Sequence, residues 1–238
     1  MSAIAETIVN KLLKEGSELK AMHLSRFFKT GKGQYGEGDI FIGVTVPVQR
    51  KIAREHFREA DFEDLRQLIT DPRHECRLTG LIMLTYKYEK SGDKEQKEMI
   101  KDFYLDMLDH VNNWDLVDLT AYKILGDYLM DKDRRILYEL AESGHLWRQR
   151  VSVISTMYFI KKGDFGDTFA LAEMMIDHKH DLMHKAIGWM LREIGKIDFE
   201  AENAFLREHY QQMPRTMLRY AIEKFNPELR KQFLSGKS

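Results

Sequence analysis

A repeated pattern of helix pairs constrains the fold of this chain more than any other feature. Alignment of the apolar positions gives five related segments, 41, 32, 35 and 34 residues apart, which begin at Arg77, Asp118, Arg150, Lys185 and Arg219. Such spacings are typical of stacked helix-pair repeats. Because each pair covers the apolar face of the next, the pattern predicts an all-α solenoid of antiparallel helix pairs with one surface of inner helices.

The composition agrees with an all-helical chain. Four of the 238 residues are proline, and long segments with helical spacing are rich in Leu, Met, Lys and Glu. The pattern predicts one or two helices over 3–30, a glycine-rich buried loop over 31–46, and a helix that begins near Pro47. Further helices are predicted over 61–70, 72–90, 93–110, 114–130, 132–142, 145–162, 166–178, 182–196, 199–211 and 214–225. No linker is visible, so we expect a single domain over residues 1–238.

Composition also argues against several classes of protein. The single cysteine, Cys76, cannot form an internal disulfide and fits the reducing cytoplasm, where we expect the protein to act. Charged residues near the N-terminus argue against a signal peptide, and no apolar stretch approaches the roughly 18 residues of a membrane span. The histidines lack metal-ligand spacing and no nucleotide-binding motif is present, so neither a metal nor a cofactor is expected.

Charge limits how the chain can bind a polyanion. The net charge is −1, but residues 147–238 carry 15 Lys and Arg against 12 Asp and Glu, and residues 1–146 carry 22 against 26. Bulk attraction to nucleic acid is therefore weak. Any nucleic-acid binding must depend on a localised face.

One carboxylate interrupts the row of cations. Asp118 stands where the other four segments have Arg or Lys, and Trp114 precedes it by one helical turn. A helical wheel places Asp118 at the edge of the core face, with Asp115 and Asp127 on faces predicted to be solvated. A partly desolvated carboxylate interacts strongly with nearby cations, which indicates a site. A structural alternative is a helix N-terminal aspartate that is stabilised by the helix dipole and paired with an arginine of the next repeat.

The predicted helix over 182–196 has two faces. Apolar residues follow core spacing at Met183, Ile187, Met190, Leu191 and Ile194, and a basic stripe contains Lys185, Trp189, Arg192 and Lys196. Cations bind phosphates, and an indole offers a flat surface for a sugar or base. A solvated basic face with a partly buried indole is the alternative. Repetition favours the binding surface, because Trp147 also lies within one turn of Arg150.

These residues make the chain similar to the AlkD-like DNA alkylation repair proteins over about residues 20–225. The resemblance is carried by the segment Trp114-Asp-Leu-Val-Asp118, by residues 147–150 and 185–193, and by supporting matches at 43–50 and 219–223. Members of that family are bacterial DNA glycosylases. The resemblance implies an all-α superhelical solenoid of HEAT-like antiparallel helix pairs with a concave basic surface.

The resemblance also implies a reaction and its residues. Family members release cationic N3- and N7-alkylated purines from duplex DNA, the first step of base excision repair. By position, Asp118 falls on the catalytic aspartate, and Trp114 and Trp189 fall on the two indoles that face the deoxyribose. Arg150 and Arg192 match phosphate contacts. We expect further phosphate contacts, and hence salt-sensitive binding, from the remaining cations of the surface, Lys185, Arg219, Arg50 and Arg77.

Two positions depart from the family pattern. Phe27 stands where the best-known members have tyrosine, and Asn113 where they can have a second tryptophan. Both changes leave the aspartate and the two indoles in place. We expect them to affect the range of lesions that the protein excises and the rate of excision.

Two other classes of function remain open. One is a noncatalytic HEAT-like protein that binds damaged or branched DNA. The other is a scaffold for an acidic protein, in which Trp114 and Trp189 dominate the binding energy. We expect the glycosylase, acting as a monomer on duplex DNA that contains alkylated bases, because neither alternative needs an acid within the row.

Overall fold

The computed structural model describes residues 1–236, and within them every regular element is a helix. The all-α prediction is therefore confirmed. The chain divides into two compact units, Met1–Thr120 and Ala121–Ser238. That both belong to one domain stays a prediction. No helix among the described residues is long and apolar enough to cross a membrane.

The first unit places its N-terminal helices around a long buried one. Its elements are α1 (Ala3–Lys14), α2 (Glu18–Phe27), α3 (Val46–His56), α4 (Phe62–Ile69), α5 (His74–Lys90), α6 (Lys94–Asp106), a 3₁₀ turn (Leu108–His110) and α7 (Trp114–Asp118). The central helix α5 is buried along most of its length and contacts α1, α3, α4, α6 and α7. The two-helix interpretation of residues 3–30 is confirmed.

Capping residues in the sequence account for several helix starts. Asp61 and Asp64 form a reciprocal capping box on α4, and the Asp93 carboxylate accepts two backbone N–H groups of α6. Pro47 lies in the first turn of α3, where its missing N–H costs no helical hydrogen bond. The predicted start near Pro47 is confirmed.

A loop over residues 28–45 separates α2 from α3. Phe28, Phe41 and Val44 are buried, as predicted for a buried loop. The backbone joins the start of α5 through one isolated parallel bridge between Ile40 and Arg73. Residues 40–46 therefore form no strand, because this single bridge supplies no continuous ladder.

The helix predicted over 114–130 is interrupted, so that prediction is wrong in detail. The α-helical part α7 ends at Asp118, and the chain continues through a π-helical turn (Tyr122–Gly126) into the short α8 (Asp127–Leu129). The Thr120 hydroxyl donates to the carbonyl oxygen of Leu116 at 2.5 Å, a local bond that bends helices. Gly126 has no side chain, which lets the carbonyl oxygen of Ser155 lie against its backbone.

The second unit consists of helix pairs. After α8 come α9 (Arg135–Glu142), α10 (Leu146–Ser155), α11 (Met157–Ile160), α12 (Gly166–Met174), α13 (Asp181–Gly195), α14 (Phe199–His209), α15 (Arg215–Ala221), a 3₁₀ turn (Ile222–Lys224) and α16 (Pro227–Ser235). Helix α13 contacts α10, α14 and α15. The last predicted helix ends at residue 225, so α16, which begins with the Asn226 cap and Pro227, is an addition to the predicted elements.

Helix α13 shows how closely its neighbours approach. The five residues predicted for its core face, Met183, Ile187, Met190, Leu191 and Ile194, are all buried. A Cβ at Gly188 would overlap the carbonyl oxygen of Met217 and lie 2.6 Å from the Cβ of Tyr220. Glycine at this position is therefore required for α15 to pack against α13.

Candidate functional site

Helix α7 carries both residues at the centre of the predicted site. Trp114 and Asp118 begin and end it, so they lie one turn apart on one face, and both side chains are half-buried. The Asn113 side chain caps the helix, because its Oδ1 accepts the backbone N–H of Trp114 at 2.9 Å. The start of α7 is thus defined by a side-chain hydrogen bond.

Trp114 lies against two phenylalanines from the end of α2. Its ring stacks on Phe28 with a centroid distance of 5.1 Å and an interplanar angle of 14°, and Phe27 meets it edge-on at 5.9 Å. Phe28 is buried, whereas Phe27 is 64% exposed. Trp114 is therefore held by buried aromatic packing, with an exposed aromatic ring at its border.

A buried charged cluster lies beneath Trp114. Asp39 Oδ2 accepts hydrogen bonds from His74 Nδ1 at 3.1 Å and from Asn113 Nδ2 at 2.9 Å. His74 Nε2 donates to Asp115 Oδ2 at 2.8 Å, and Arg77 Nη2 donates to Asp39 Oδ1. Asp39, His74, Arg77, Asn113 and Asp115 form what we call the His74 cluster. It joins the loop, α5 and the start of α7.

The charge of His74 follows from its two acceptors. Burial would lower the pKa of His74, but the carboxylates of Asp115 and Asp39 raise it to about 9. Burial would also raise the pKa of Asp39, yet its bonds to His74, Arg77 and Asn113 hold it below its ordinary value. At neutral pH both ring nitrogens of His74 therefore donate, and its positive charge balances part of the carboxylate charge.

The burial of Asp115 differs from the prediction. The helical wheel predicts a solvated carboxylate, but Asp115 is 8% exposed and pairs with His74. Its Oδ1 also accepts the backbone N–H of Leu116 at 3.0 Å. The partner comes from a helix 41 residues earlier in the chain, so the helical wheel of α7 contained no signal for it.

The environment of Arg77 also differs from the prediction. It is 4% exposed, pairs with Asp39, and donates from Nη1 to the carbonyl oxygens of Asp71 and Pro72, both at 3.0 Å. A guanidinium used in this way stabilises the loop. The prediction that Arg77 contacts a phosphate is wrong for this arrangement. Arg50, on α3, is half-buried, and its predicted phosphate contact stays a prediction.

The surroundings of Asp118 include a buried phenol. Burial and, to a smaller degree, the charge of Asp118 raise the pKa of Tyr104, whose hydroxyl lies 3.1 Å from Thr120 Oγ1. Tyr104 is therefore neutral. Asp118 is placed between this apolar interior and the surface.

In the second unit, Trp189 forms a hydrogen bond within its own helix. Its Nε1 donates to Glu193 Oε1 at 2.9 Å, and the ring is half-buried. Glu193 also accepts from Lys196 Nζ at 2.6 Å, and Arg192 pairs with both Glu193 and Glu223. The predicted basic stripe of α13 therefore exists in sequence, but carboxylates neutralise much of its charge.

The remaining cations of the row differ in accessibility. Arg150 is 4% exposed and donates from Nη1 to the carbonyl oxygen of Leu182 at 2.5 Å, so its predicted phosphate contact is not available in this arrangement. Lys185 forms an i−4 ion pair with Asp181 at 2.6 Å, and Arg219 is exposed. Trp147 is buried, which excludes it as a stacking surface.

Two kinds of chemistry lack support within residues 1–236. No group of three or more His, Cys, Asp or Glu side chains is arranged to hold a metal ion. Cys76 is fully buried, and burial first and then the charge of Asp71 raise its pKa to about 12, so the thiol is a poor nucleophile.

The residues that hold the site in place were not predicted from the sequence. His74 and Asp39 were not candidates, and Asn113 entered as a departure from a family pattern. A weak signal existed, because His74 and Arg77 lie one turn apart at the start of a predicted helix. Their acceptor lies in a glycine-rich loop, and no local pattern joins the two.

Comparisons with known proteins agree with the helical fold and with the resemblance seen in the sequence. The sequence model of a family described as "DNA alkylation repair enzyme" matches residues 8–225. A solved structure described as "Predicted DNA alkylation repair enzyme from Enterococcus faecalis" superposes with a TM-score of 0.69 and 15% identity, over 90% of this chain and 98% of that one. No curated protein matches the sequence. At this identity the solved structure is evidence for the fold.

Proposed function

Since the chain belongs to the family of DNA alkylation repair enzymes, we propose that it is a DNA glycosylase that hydrolyses the N-glycosidic bond of cationic N3- or N7-alkylated purines in duplex DNA. Family membership gives it a role in the repair of alkylated DNA and makes DNA its partner. The observation that best supports the finer proposal is the placement of Asp118 one turn after Trp114, on a helix whose start is held by buried hydrogen bonds.

The leaving group decides which catalytic groups are needed. Alkylation at N3 or N7 gives the purine a positive charge, so the base leaves with the electrons of its bond to C1′ and becomes neutral without a proton from a general acid. Water then adds to C1′ and loses a proton. One carboxylate is therefore sufficient, whereas ordinary glycoside hydrolysis uses two.

Asp118 would supply the fixed anion. Positive charge develops on the deoxyribose as the bond to the base breaks, and a carboxylate held in place stabilises that charge without reorganising. Asp118 is half-buried, which strengthens its field relative to an exposed acid. Trp114, stacked on Phe28, would contact the sugar through its face and add a cation–π contribution.

Phosphate contacts are proposed for each unit by itself. In the first unit Arg50 is the remaining candidate. In the second, Arg219 is exposed, and Lys185 and Arg192 would exchange Asp181 and Glu223 for phosphate oxygens. Partly exposed ion pairs are worth at most about 1 kcal/mol, so this exchange costs little. Trp189, in the second unit, stays the predicted second indole of the family pattern.

The test compares two aspartates. We expect Asp118→Asn to slow the release of 7-methylguanine from methylated duplex DNA by about 100-fold or more in single-turnover reactions, because a neutral amide cannot stabilise the charged sugar. Binding to the duplex, measured by gel retardation, should change little. Asp131→Asn, at an exposed position, is the matched control and should excise at the wild-type rate.

The other outcomes would indicate a different role for Asp118 or a different function for the protein. Wild-type excision by Asp118→Asn contradicts the assigned role of Asp118. Salt-sensitive DNA binding by the wild type without release of any base supports a noncatalytic DNA-binding protein. Failure to retard any duplex supports a scaffold for an acidic protein partner.

A further inference from the structure

A positively charged segment without carboxylates leads out of α2, next to the aromatic residues that hold Trp114. Residues 19–36 contain no Asp or Glu but four Lys or Arg, namely Lys20, Arg26, Lys29 and Lys32. The whole chain holds 37 basic and 38 acidic residues, so the charge of this segment departs from the average. Its last part, residues 29–36, begins directly after Phe28, and we call it the basic loop.

The two cations of the basic loop are accessible. Lys29 and Lys32 are exposed, and no carboxylate of residues 1–236 forms an ion pair with either of them. Lys29 Nζ lies 5.9 Å from the centre of the Tyr35 ring, a contact that leaves its charge uncompensated. Arg77, by contrast, is buried and pairs with Asp39. The basic loop therefore offers positive charge that an external anion can reach.

Contacts on both sides of the basic loop fix its place beside α7. Phe28, which precedes it, is buried and stacks on Trp114 with a centroid distance of 5.1 Å. Asp39, which follows it, accepts from Asn113 Nδ2 at 2.9 Å inside the His74 cluster. Because Asn113 and Trp114 form the start of α7, the loop and the indole are held by the same buried contacts.

The backbone of the basic loop is strained at Lys29. Among residues 1–236, Lys29 is the one residue other than glycine with a positive φ, 52°. This conformation is unfavourable for a long side chain and is tolerated better by glycine or asparagine. Gly36 donates its N–H to the carbonyl oxygen of Lys29 at 3.2 Å, and a Cβ at Gly36 would overlap the carbonyl oxygen of Phe28. A lysine at a strained position next to a site indicates a use for its ammonium group.

The chemistry of the basic loop fits the phosphate backbone of duplex DNA. Lysine ammonium groups bind phosphate oxygens as point charges, and such contacts position a protein on DNA without reading its sequence. Membership in the family of DNA alkylation repair enzymes makes DNA the partner. In the proposed reaction Trp114 meets the deoxyribose of the damaged nucleotide. Phe28 lies against that indole and directly precedes Lys29, so the phosphates on either side of the sugar come next to the loop.

We propose that the basic loop binds the phosphates that flank the damaged nucleotide, through Lys29 and Lys32. This inference rests on the proposed function, because it takes Trp114 as the surface that meets the sugar. It gives the first unit phosphate contacts that the buried Arg77 cannot make. Since the loop is already fixed beside α7, binding there places the nucleotide against Trp114 with little loss of loop entropy.

Duplex binding at several salt concentrations tests the two contacts. Fluorescence anisotropy of a short labelled duplex gives the affinity, whose logarithm falls with the logarithm of the salt concentration by about 0.9 for each phosphate contact. Lys29→Asn combined with Lys32→Gln should therefore lower this slope by about 1.8, and should weaken binding about tenfold or more at about 0.1 M salt.

A charge-matched variant is the control. Lys90→Gln combined with Lys94→Gln also removes two exposed cations, but Lys90 ends α5 and Lys94 begins the next helix. Helix α5 starts at His74 and has 17 residues, so these lysines lie about 25 Å along the helix from the His74 cluster. This variant should bind duplex with the wild-type slope.

Lys29 by itself separates a binding role from a structural one. Because asparagine tolerates a positive φ better than lysine, Lys29→Asn should unfold at the wild-type temperature or above it. Its affinity for duplex should nevertheless fall about fivefold to tenfold at about 0.1 M salt. Lys29→Arg keeps the charge and should retain the wild-type salt slope. A purely structural role of Lys29 would instead lower the unfolding temperature of Lys29→Asn.

Three results would overturn the proposal. The first is an unchanged salt slope when Lys29 and Lys32 are both replaced. The second is an equal loss of affinity in the charge-matched control. The third is binding of poly-glutamate without binding of any duplex, which would assign the basic loop to an acidic protein partner.

Excision of 7-methylguanine by the same variants separates this proposal from the proposed function. The loop variant should need a higher protein concentration for half-maximal excision and should reach the wild-type rate at saturation, because the loop holds phosphates and does not touch the reacting bond. Excision with an unchanged salt slope overturns the role of the loop and leaves the glycosylase. Loop-dependent duplex binding without excision supports the loop and contradicts the glycosylase.

Discussion

The His74 cluster predicts a specific dependence of stability on pH. The imidazolium of His74 donates to Asp39 and Asp115 inside the first unit, so the folded chain binds its proton more tightly than the unfolded chain does. Because the folded pKa is the higher one, this contribution is complete below pH 6.5. It is lost as the pH rises through about 9.

The magnitude follows from the two pKa values. The pKa of His74 rises from 6.5 to about 9 on folding, and each pKa unit corresponds to about 1.4 kcal/mol. The free energy of unfolding should therefore fall by about 3 kcal/mol between pH 6 and pH 10 through this residue. That is a large part of the about 5–15 kcal/mol that stabilises a typical domain.

Urea unfolding of a variant with Trp114 as its single tryptophan measures this contribution of His74 to the free energy of unfolding. Replacing Trp147 and Trp189 by Phe leaves Trp114 to report on the first unit, next to the cluster. We expect His74→Gln to destabilise strongly at about pH 6, and its deficit relative to the parent to shrink by about 3 kcal/mol near pH 10. His23→Gln, at an exposed position on α2, is the control and should show little change with pH. A His74→Gln deficit that is equal at both pH values would refute the reasoning.

Two further predictions concern the second unit. Burial raises the pKa of Glu202 from 4.5 to about 8, with Arg192 opposing and Glu193 adding to the shift, so stability falls as the pH rises through that window. Glu202→Gln should gain up to about 3–5 kcal/mol over the wild type by pH 8, and a pH-independent gap in unfolding temperature would contradict this. Gly188→Ala should cost about 1–3 kcal/mol in urea unfolding, because its Cβ would meet the backbone of α15. Gly92→Ala, whose Cβ would meet nothing within 4 Å, is the control, and equal losses would dismiss the packing argument.

The periodic part of the fold was predictable from the sequence. All five core positions assigned on α13 are buried, because a helix with a 3.6-residue period must turn its apolar face inward. The same reasoning assigned Val117, Ala121, Ile124, Leu125 and Tyr128 to one core face. The first four are buried and Tyr128 is half-buried, although α7 ends at Asp118 and a π-helical turn follows. The break was missed because its visible causes, the Thr120 hydroxyl and the approach of Ser155 to Gly126, are specific contacts.

The candidate site was predictable in part. The neighbouring positions of Trp114 and Asp118 follow from a spacing of one helical turn, and α7 contains both. The accessibility of the cations was not predictable. Arg77 and Arg150 share a repeat position with Arg219, yet the first two are buried against backbone carbonyl oxygens and Arg219 is exposed.

The sequence by itself determined the helices, their apolar faces and the family, because these depend on local periodicity and on the order of motifs along the chain. Tertiary structure alone decided which charges are available. Asp39 is 35 residues from His74 and 74 from Asn113, and Asp115 is 41 from His74. A buried charge is tolerated when a partner satisfies it, and those partners meet only when distant segments pack together.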